Sequence, residues 1–181
     1  MDHIHKSISN RYSTVIFSSK EISLKQLNLL LEAARWAPSS YNEQPWRFII
    51  GTKGKNSNYK KIYDCLFEAN QNWAKYAPVL MLSIAHKYSS VTGKINRFAQ
   101  YDTGMAMGNL LTQATEMNLF VHQMGGYDVN KIRKLFNLDD KYEPMAAIAI
   151  GYKGNSNLFP TDLKERESRE RYRNSIDEFI L

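Results

Sequence analysis

The sequence predicts a single domain in which α-helices and β-strands are mixed. Apolar residues recur at helical spacing in several segments, and other segments are short apolar runs typical of buried strands. The chain has no internal repeat and no segment of low complexity. With 181 residues, of which 43% are hydrophobic and 23% charged, it is large enough to bury a core. We therefore expect one domain spanning residues 1–181.

The first predicted elements are a helix and a strand joined by a polar loop. Ser23 begins the helix, and Gln26 completes a capping-box pattern. A stripe of leucines at helical spacing runs from there to Trp36, and Pro38 prevents the helix from continuing. The apolar residues at 46–50 then predict a strand.

The later elements follow the same two patterns. We expect a second helix over about 60–75, a strand buried on both faces at 77–84, a long helix over 97–118, a short strand at 119–122, a helix capped by Asp128 that ends near 136, and a strand at 145–150. From residue 155 the chain is polar and loosely patterned, and it becomes apolar again at 175–180. Such a tail has no obvious place on its own monomer.

The long helix carries Gly104, Ala106 and Gly108, which leave little side chain on part of its surface. Another backbone is expected to come close there. That backbone is either a neighbouring helix in the same core or a second subunit.

Composition excludes several classes of protein. Cys65 is the one cysteine, so no disulfide framework exists, and the four histidines show no zinc-ligand spacing. The longest apolar stretch, 77–85, is too short to span a bilayer. We expect a cytoplasmic protein without a metal. The net charge of +6 and the pI near 9.3 indicate affinity for anions. Acidic residues interrupt the basic C-terminal segment, which argues against nucleic-acid binding and favours a solvated helical face.

Residues 37–46 form the most informative segment, because two prolines enclose serine hydroxyls and carboxamide groups. Pro38 and Pro45 restrict the backbone on either side, so the polar groups between them are held in place. An ordinary polar turn has the same composition. The segment by itself therefore allows either a turn or a binding loop.

Two further segments are candidates for binding. Arg11, Tyr12 and Ser13 place a guanidinium and a hydroxyl close together, a pairing suited to a phosphate monoester. The pair Gly125 and Gly126, which follows Met124, would let backbone N–H groups approach a ligand without interference from a Cβ. Each segment could also be structural, the glycine pair simply a turn.

Taken together and in order, the motifs resemble those of the FMN-dependent nitroreductase family. They are Arg-x-Ser at residue 11, Pro-Ser-Ser-x-Asn-x-Gln-Pro-Trp at residue 38, Asn70 ahead of Ala-Pro-Val, Asp-x-Gly at residue 102, Gly-Gly-Tyr-Asp at residue 125, Ile-Gly-Tyr at residue 150 and a terminal Arg-x-Arg. The motif at residue 38 is the most specific of them. The resemblance covers nearly the whole chain.

The resemblance implies an α+β fold in which helices flank a central, mostly antiparallel sheet. It also implies an intertwined homodimer with two FMN sites at its interface. Residues 155–181 would form a tail that embraces the partner subunit and adds a strand to its sheet.

The resemblance also assigns roles to individual residues. Arg11 and Ser13 would contact the phosphate and ribityl chain of FMN, and Arg171 and Arg173 would close on the phosphate from the tail. Tyr12 is also expected to bind the cofactor. Those that would line the flavin from the other subunit are Pro38, Ser39, Ser40 and Asn42, with Gln44 close by. Asn70 would bind the pyrimidine edge, and Met124, Gly125 and Gly126 would lie near N5. Because the cofactor carries the chemistry, no catalytic side chain is expected.

The sequence departs from the family pattern at two positions. Val15 stands where many members have Arg or Lys against the flavin, and Trp73 stands where some have Lys. Either another cation such as Lys75 replaces them or the flavin potential is lower than in typical members. The loop 85–97 is short, which predicts an open site. Tyr41, Phe98 and Tyr127 are candidate substrate contacts, although each could equally serve packing.

The expected function is an oxidoreductase in which NAD(P)H reduces FMN, and a nitroaromatic, quinone or similar small molecule then accepts the electrons by ping-pong hydride transfer. Other flavin chemistry, such as dehalogenation or enone reduction, is an alternative. A regulatory module that binds FMN without turnover is a second alternative. A third is a nucleic-acid-binding protein, a hypothesis that only the net charge supports. The physiological substrate and the choice between NADH and NADPH are not encoded in motif spacing.

Overall fold

The computed structural model describes residues 4–181, and within them one four-stranded sheet forms the centre of the molecule. Its strands are β1 (Trp46–Thr52), β2 (Val79–His86), β3 (Phe120–Met124) and β4 (Tyr142–Gly151). They are ordered β1-β2-β4-β3, and every neighbouring pair is antiparallel. The expected α+β fold with an antiparallel central sheet is confirmed.

Helices cover both faces of this sheet. They are α1 (Lys6–Ser9), α2 (Leu24–Arg35), α3 (Ser57–Cys65), α4 (Glu68–Ala74), α5 (Ala99–Glu116), α6 (Val129–Phe136) and α7 (Thr161–Glu167). Ser23 and Gln26 form the predicted capping box of α2, and Asp128 caps α6 by accepting a hydrogen bond from the Lys131 N–H. Within residues 4–181, no helix is long and apolar enough to cross a bilayer.

The prediction of one helix over 60–75 is wrong, because α3 and α4 are separate helices. Between them Leu66 forms a β-bridge with Tyr127, and the Phe67 N–H donates to the carbonyl of Gly126 at 3.0 Å. These contacts hold Leu66 and Phe67 in extended geometry. Helical periodicity continues through the break, so the sequence pattern did not reveal it.

The core lies on both sides of the sheet, and β2 contributes to each side. Its residues Leu80, Leu82 and Ile84 pack into one cluster with Phe17 and Trp73. The alternating residues Val79 and Met81 pack into another cluster, with α2 and α5. Successive side chains on a strand point to opposite faces. The prediction that this strand is buried on both faces is confirmed.

The glycines of α5 face away from the core of their own chain. Gly104 and Gly108 are exposed, and a Cβ built on either would meet no atom within 4 Å. Close packing against a helix of the same core is therefore wrong as an account of these two glycines. Contact with a second subunit at this surface stays a prediction.

The tail packs on its own chain through α7, and after α7 it is exposed but still contacts α1 and the following segment through Arg171. In α7 the side chain of Leu163 is buried, and Glu167 hydrogen-bonds to the segment around Thr14. The expectation that the tail has no place on its own monomer is therefore wrong for residues 161–167. Residues 168–181 are exposed, and they include the apolar side chains of Ile176 and Phe179. Exchange of this last part with a partner stays a prediction.

Candidate functional site

Three arginines from the two ends of the chain meet beside α1. The Arg11 guanidinium donates to the Ser13 hydroxyl at 3.3 Å. The Arg171 guanidinium donates to the carbonyls of Ser9 and Arg11 at 2.8 and 2.9 Å. Arg173 lines the same cleft, so the structure brings the three predicted arginines together, with Ser13 bonded to one of them.

The cleft has a volume of about 570 Å³ and lies between α1, α5 and the tail. None of the described residues that line it carries a carboxylate. Burial, together with the neighbouring charges of Arg173 and Arg171, lowers the pKa of Arg11. Positive charge is thus concentrated without a compensating acid, and a bound anion would relieve the repulsion.

A second group of predicted residues lies where β3 ends. Asn70 donates from Nδ2 to the carbonyl of Gly126 at 3.0 Å, and Phe67 donates its N–H to the same carbonyl. A Cβ at Gly126 would lie 2.7 Å from that Asn70 nitrogen, whereas one at Gly125 would meet nothing within 4 Å. Met124, the last residue of β3, is buried. A side chain at Gly126 would therefore displace the Asn70 amide, whereas Gly125 leaves open space.

Strand β3 joins these two groups. Arg11 and Phe120, the first residue of β3, line a smaller cavity of about 150 Å³. Gly125 follows the last residue of the strand, five residues further along, or ~17 Å at the usual rise of an antiparallel strand. The arrangement suits an elongated ligand that has an anionic group at one end.

The loop that follows α2 is held by a hydrogen bond to α5 and by a hydrogen bond between two of its own residues. The buried carboxylate of Asp102 on α5 accepts a hydrogen bond from the Ser40 N–H at 3.0 Å. The Ser39 hydroxyl accepts from the Gln44 N–H, also at 3.0 Å. Three residues of the loop have positive φ: Tyr41, Asn42 and Gln44. Non-glycine residues adopt this conformation only where surrounding contacts impose it, so the prediction that the loop is held in place is confirmed.

The loop is not joined to the other two groups in the monomer. Among residues 4–181, no hydrogen bond connects the segment Ser39–Gln44 with the three arginines of the cleft or with the glycine pair. Pro38, Tyr41 and Asn42 are exposed. Their predicted placement beside the flavin of a second subunit stays a prediction.

Two carboxylates support the site and were not singled out from the sequence. Asp102 belongs to the quoted Asp-x-Gly motif, and Glu167 lies in the charged tail. An acid on the apolar stripe of α5 is a signal that could have identified Asp102. Glu167 gave no such signal, because its neighbours in sequence are also charged. Its carboxylate accepts one hydrogen bond from the Tyr12 hydroxyl, which is therefore directed toward Glu167.

The two departures from the family pattern are core residues. Val15 is 2% exposed and Trp73 is 0% exposed, and they pack in the same cluster. The indole N–H of Trp73 has no hydrogen-bond partner among the described residues. Lys75 is exposed, and its ammonium lies 5.3 Å from the centre of the Tyr76 ring.

Candidate substrate contacts differ in exposure. Tyr41 is 95% exposed and Phe98 is partly exposed, whereas Tyr127 is buried and donates its hydroxyl to the Pro144 carbonyl. Tyr127 thus serves packing, the alternative weighed from sequence. Within the described residues, no group of three His, Cys, Asp or Glu side chains could hold a metal ion.

The fold and the arginine cleft together define an α+β protein built to bind an extended anionic ligand. The family model described as the nitroreductase family matches residues 8–82 and 67–152. The chain belongs to the nitroreductase family, as its motifs predicted.

Individual relatives agree with this assignment. The major NAD(P)H-flavin oxidoreductase of Aliivibrio fischeri is 28% identical, over 90% of this chain and 94% of its own. A crystal structure described as an oxidoreductase containing FMN superimposes with a TM-score of 0.90 and 30% identity, covering 98% of this chain and 90% of that one. A nitroreductase family protein from Streptococcus pneumoniae TIGR4 is 18% identical with a TM-score of 0.78, over 97% and 98% of the two chains, and it shares the fold.

Proposed function

We propose that this protein is an FMN-dependent NAD(P)H oxidoreductase that reduces nitroaromatic, quinone or related small electron acceptors. The observation that carries the proposal is the meeting of Arg11, Arg171 and Arg173 in a cleft whose described lining has no carboxylate. A phosphate monoester is the ligand that such a cluster suits. The similarity to an FMN-containing oxidoreductase over 98% of this chain supports FMN as that ligand.

The phosphate end of the cofactor would be held by the arginines and Ser13. Charge-assisted hydrogen bonds contribute about 1.5–3 kcal/mol each, and guanidinium groups can form two in parallel. Tyr12 belongs to the same segment. Since its hydroxyl is bonded to Glu167, we assign it a contact through the main chain.

The flavin ring would lie toward the end of β3. Asn70, whose amide is fixed by the Gly126 carbonyl, would bind the pyrimidine edge. The open space at Gly125 would admit the ring, and the backbone beside it would face N5. Met124, the last residue of β3, would pack beside the ring. FMN bound there would supply the hydride chemistry of the proposed ping-pong reaction between NAD(P)H and the second substrate.

A second copy of the chain would complete the site. Pro38, Ser39, Ser40 and Asn42, with Gln44 near them, would reach the flavin of the partner. The exposed apolar side chains of the tail support a homodimer, because apolar surface is costly in water. The exposed glycines of α5 would let a second backbone approach closely. Residues 174–181, which follow Arg173, are the part of the tail that we expect to cross to the partner.

A module that binds FMN without turnover is a second candidate. Val15 and Trp73 are buried in the core, so neither position places a cation near a reduced flavin. Weaker support for negative charge on the ring would make reduction by NAD(P)H less favourable. Dehalogenation or enone reduction would use the same site with another acceptor.

The colour of the purified protein separates these possibilities. We expect a yellow protein that bleaches when NADH or NADPH is added without oxygen and recovers when a quinone or a nitroaromatic compound is added. Yellow protein that neither nucleotide bleaches would favour the binding module. A colourless protein that cannot be reconstituted with FMN would reject both proposals.

A further inference from the structure

We propose that Glu167 is a positioning residue that aligns Arg11 and Ser13 for the phosphate of the cofactor. The proposal rests on the proposed function, because it concerns the affinity for FMN. Glu167 itself would not touch the cofactor. It would act by holding the segment that carries the phosphate-binding side chains.

The contacts of Glu167 form a clamp from α7 to the segment Tyr12–Val15. Its carboxylate accepts from the Tyr12 hydroxyl at 2.7 Å, from the Thr14 hydroxyl at 2.9 and 3.0 Å and from the Val15 N–H at 3.0 Å. Its side chain is 8% exposed. Buried hydrogen bonds to a carboxylate are strong, and losing the acceptor would leave several donors unpaired.

The clamp lies between two other attachments of the same segment. On its C-terminal side, the Gly154 N–H donates to the Ile16 carbonyl at 2.9 Å. On its N-terminal side, the Arg171 guanidinium bonds to the carbonyls of Ser9 and Arg11. Arg171 follows Glu167 by four residues, so one short stretch of tail fixes the backbone on both sides of Ser13. The geometry of the arginine cluster therefore depends on α7.

The charge of Glu167 is balanced where it lies. The Lys153 ammonium is 3.3 Å from one carboxylate oxygen, and it also lies 5.0 Å from the centre of the Tyr12 ring. Burial raises the pKa of Tyr12, which keeps its hydroxyl a donor to the carboxylate. An acid near a phosphate site would ordinarily weaken anion binding. Glu167 would raise the affinity for FMN by holding the segment Tyr12–Val15 and lower it through its negative charge, so its removal distinguishes the two effects.

The experiment compares FMN with riboflavin, which has no phosphate, in the full-length chain. Removal of the negative charge alone would strengthen FMN binding slightly. We expect instead that Glu167→Gln raises the Kd for FMN by about ten- to hundredfold and that for riboflavin by less than about threefold. Glu165→Gln is the matched control, because it removes the same charge from an exposed position of α7. Its FMN affinity should equal or exceed that of the wild type.

A ratio of riboflavin to FMN affinity in Glu167→Gln equal to the wild-type ratio would overturn the proposal. It would mean either that neither affinity has changed or that both have fallen equally, and an equal fall would indicate general disruption of the site. If circular dichroism shows that Glu167→Gln is unfolded, Tyr12→Phe removes one hydrogen bond of the clamp and repeats the comparison. Wild-type protein that binds riboflavin and FMN equally would instead reject the phosphate site, and with it the proposed function.

Discussion

The Asp102 carboxylate accepts a hydrogen bond from the Ser40 N–H at 3.0 Å, and this bond joins α5 to the loop that follows α2. Asp102 is 3% exposed, and its buried carboxylate bonds to a backbone N–H that is 62 residues away in the sequence. The loop has three non-glycine residues with positive φ, and such a conformation needs external support. Asp102 provides that support.

Asp102→Ala should therefore release the loop. We expect a loss of about 1–3 kcal/mol in the free energy of unfolding, because the Ser40 N–H loses its acceptor. Chemical denaturation measures this loss, and amide exchange at Ser40 should accelerate. Asp102→Asn keeps an acceptor oxygen and should recover most of the stability. Equal destabilisation by both substitutions would contradict this role.

The glycine pair offers a second test, because its two members differ in their surroundings. Gly126→Ala should lower the melting temperature, since the new Cβ would lie 2.7 Å from Nδ2 of Asn70 and displace its hydrogen bond. Gly125→Ala should leave the apo-protein stable, because the same atom would meet nothing within 4 Å. Thermal unfolding of both variants without flavin decides the matter. A lower melting temperature for Gly125→Ala would show that this space is not open.

Arg173→Ala should weaken the retention of FMN. The variant loses one guanidinium from the cleft, and a charge-assisted bond of about 1.5–3 kcal/mol corresponds to roughly a ten- to hundredfold increase in Kd. Fluorescence titration of the apo-protein with FMN measures it. Arg169→Ala removes an equal charge from an exposed tail position outside the lining of the cleft and serves as the control. Unchanged FMN affinity in Arg173→Ala would show that the tail assignment is wrong.

The hydrogen bonds of Glu43 lead us to expect that the loop 89–94 detaches from this residue in acid. Its carboxylate accepts from the hydroxyls of Ser89 and Ser90 and from the Ser90 N–H. These bonds, the one from Ser89 foremost, lower the pKa of Glu43 to about 2 from an ordinary 4.5. A lowered pKa in the folded state means that the attachment is complete above pH 4.5 and is lost as the pH falls toward 2.

The Ser90 amide resonance, followed by NMR from about pH 6 down to about pH 1, should report this change with a midpoint near 2. In Glu43→Gln the same resonance should lack that titration. A wild-type midpoint near the ordinary value of 4.5 would mean that the bonds do not hold the loop in solution.

Local patterns determined much of the fold. The capping box at Ser23 and the cap at Asp128 fix helix starts through bonds that span three residues, which the sequence displays directly. The continuous apolar run of β2 likewise predicted burial on both faces. Motif order led to the nitroreductase family. The structure places Arg11, Arg171 and Arg173 in one cleft, with Ser13 bonded to Arg11, and their contact with FMN stays a prediction.

Where contacts are distant in sequence, only the tertiary structure decided the outcome. The second helix breaks at Leu66 because a residue on another segment, Tyr127, pairs with it. Gly104 and Gly108 face outward because the sheet occupies the other side of α5. The sequence by itself determined the elements, the family and the residue types of the site. Folding decided that Glu167 would reach Val15 across 152 residues of chain, since a carboxylate acquires a structural role only through the donors that the folded chain brings to it.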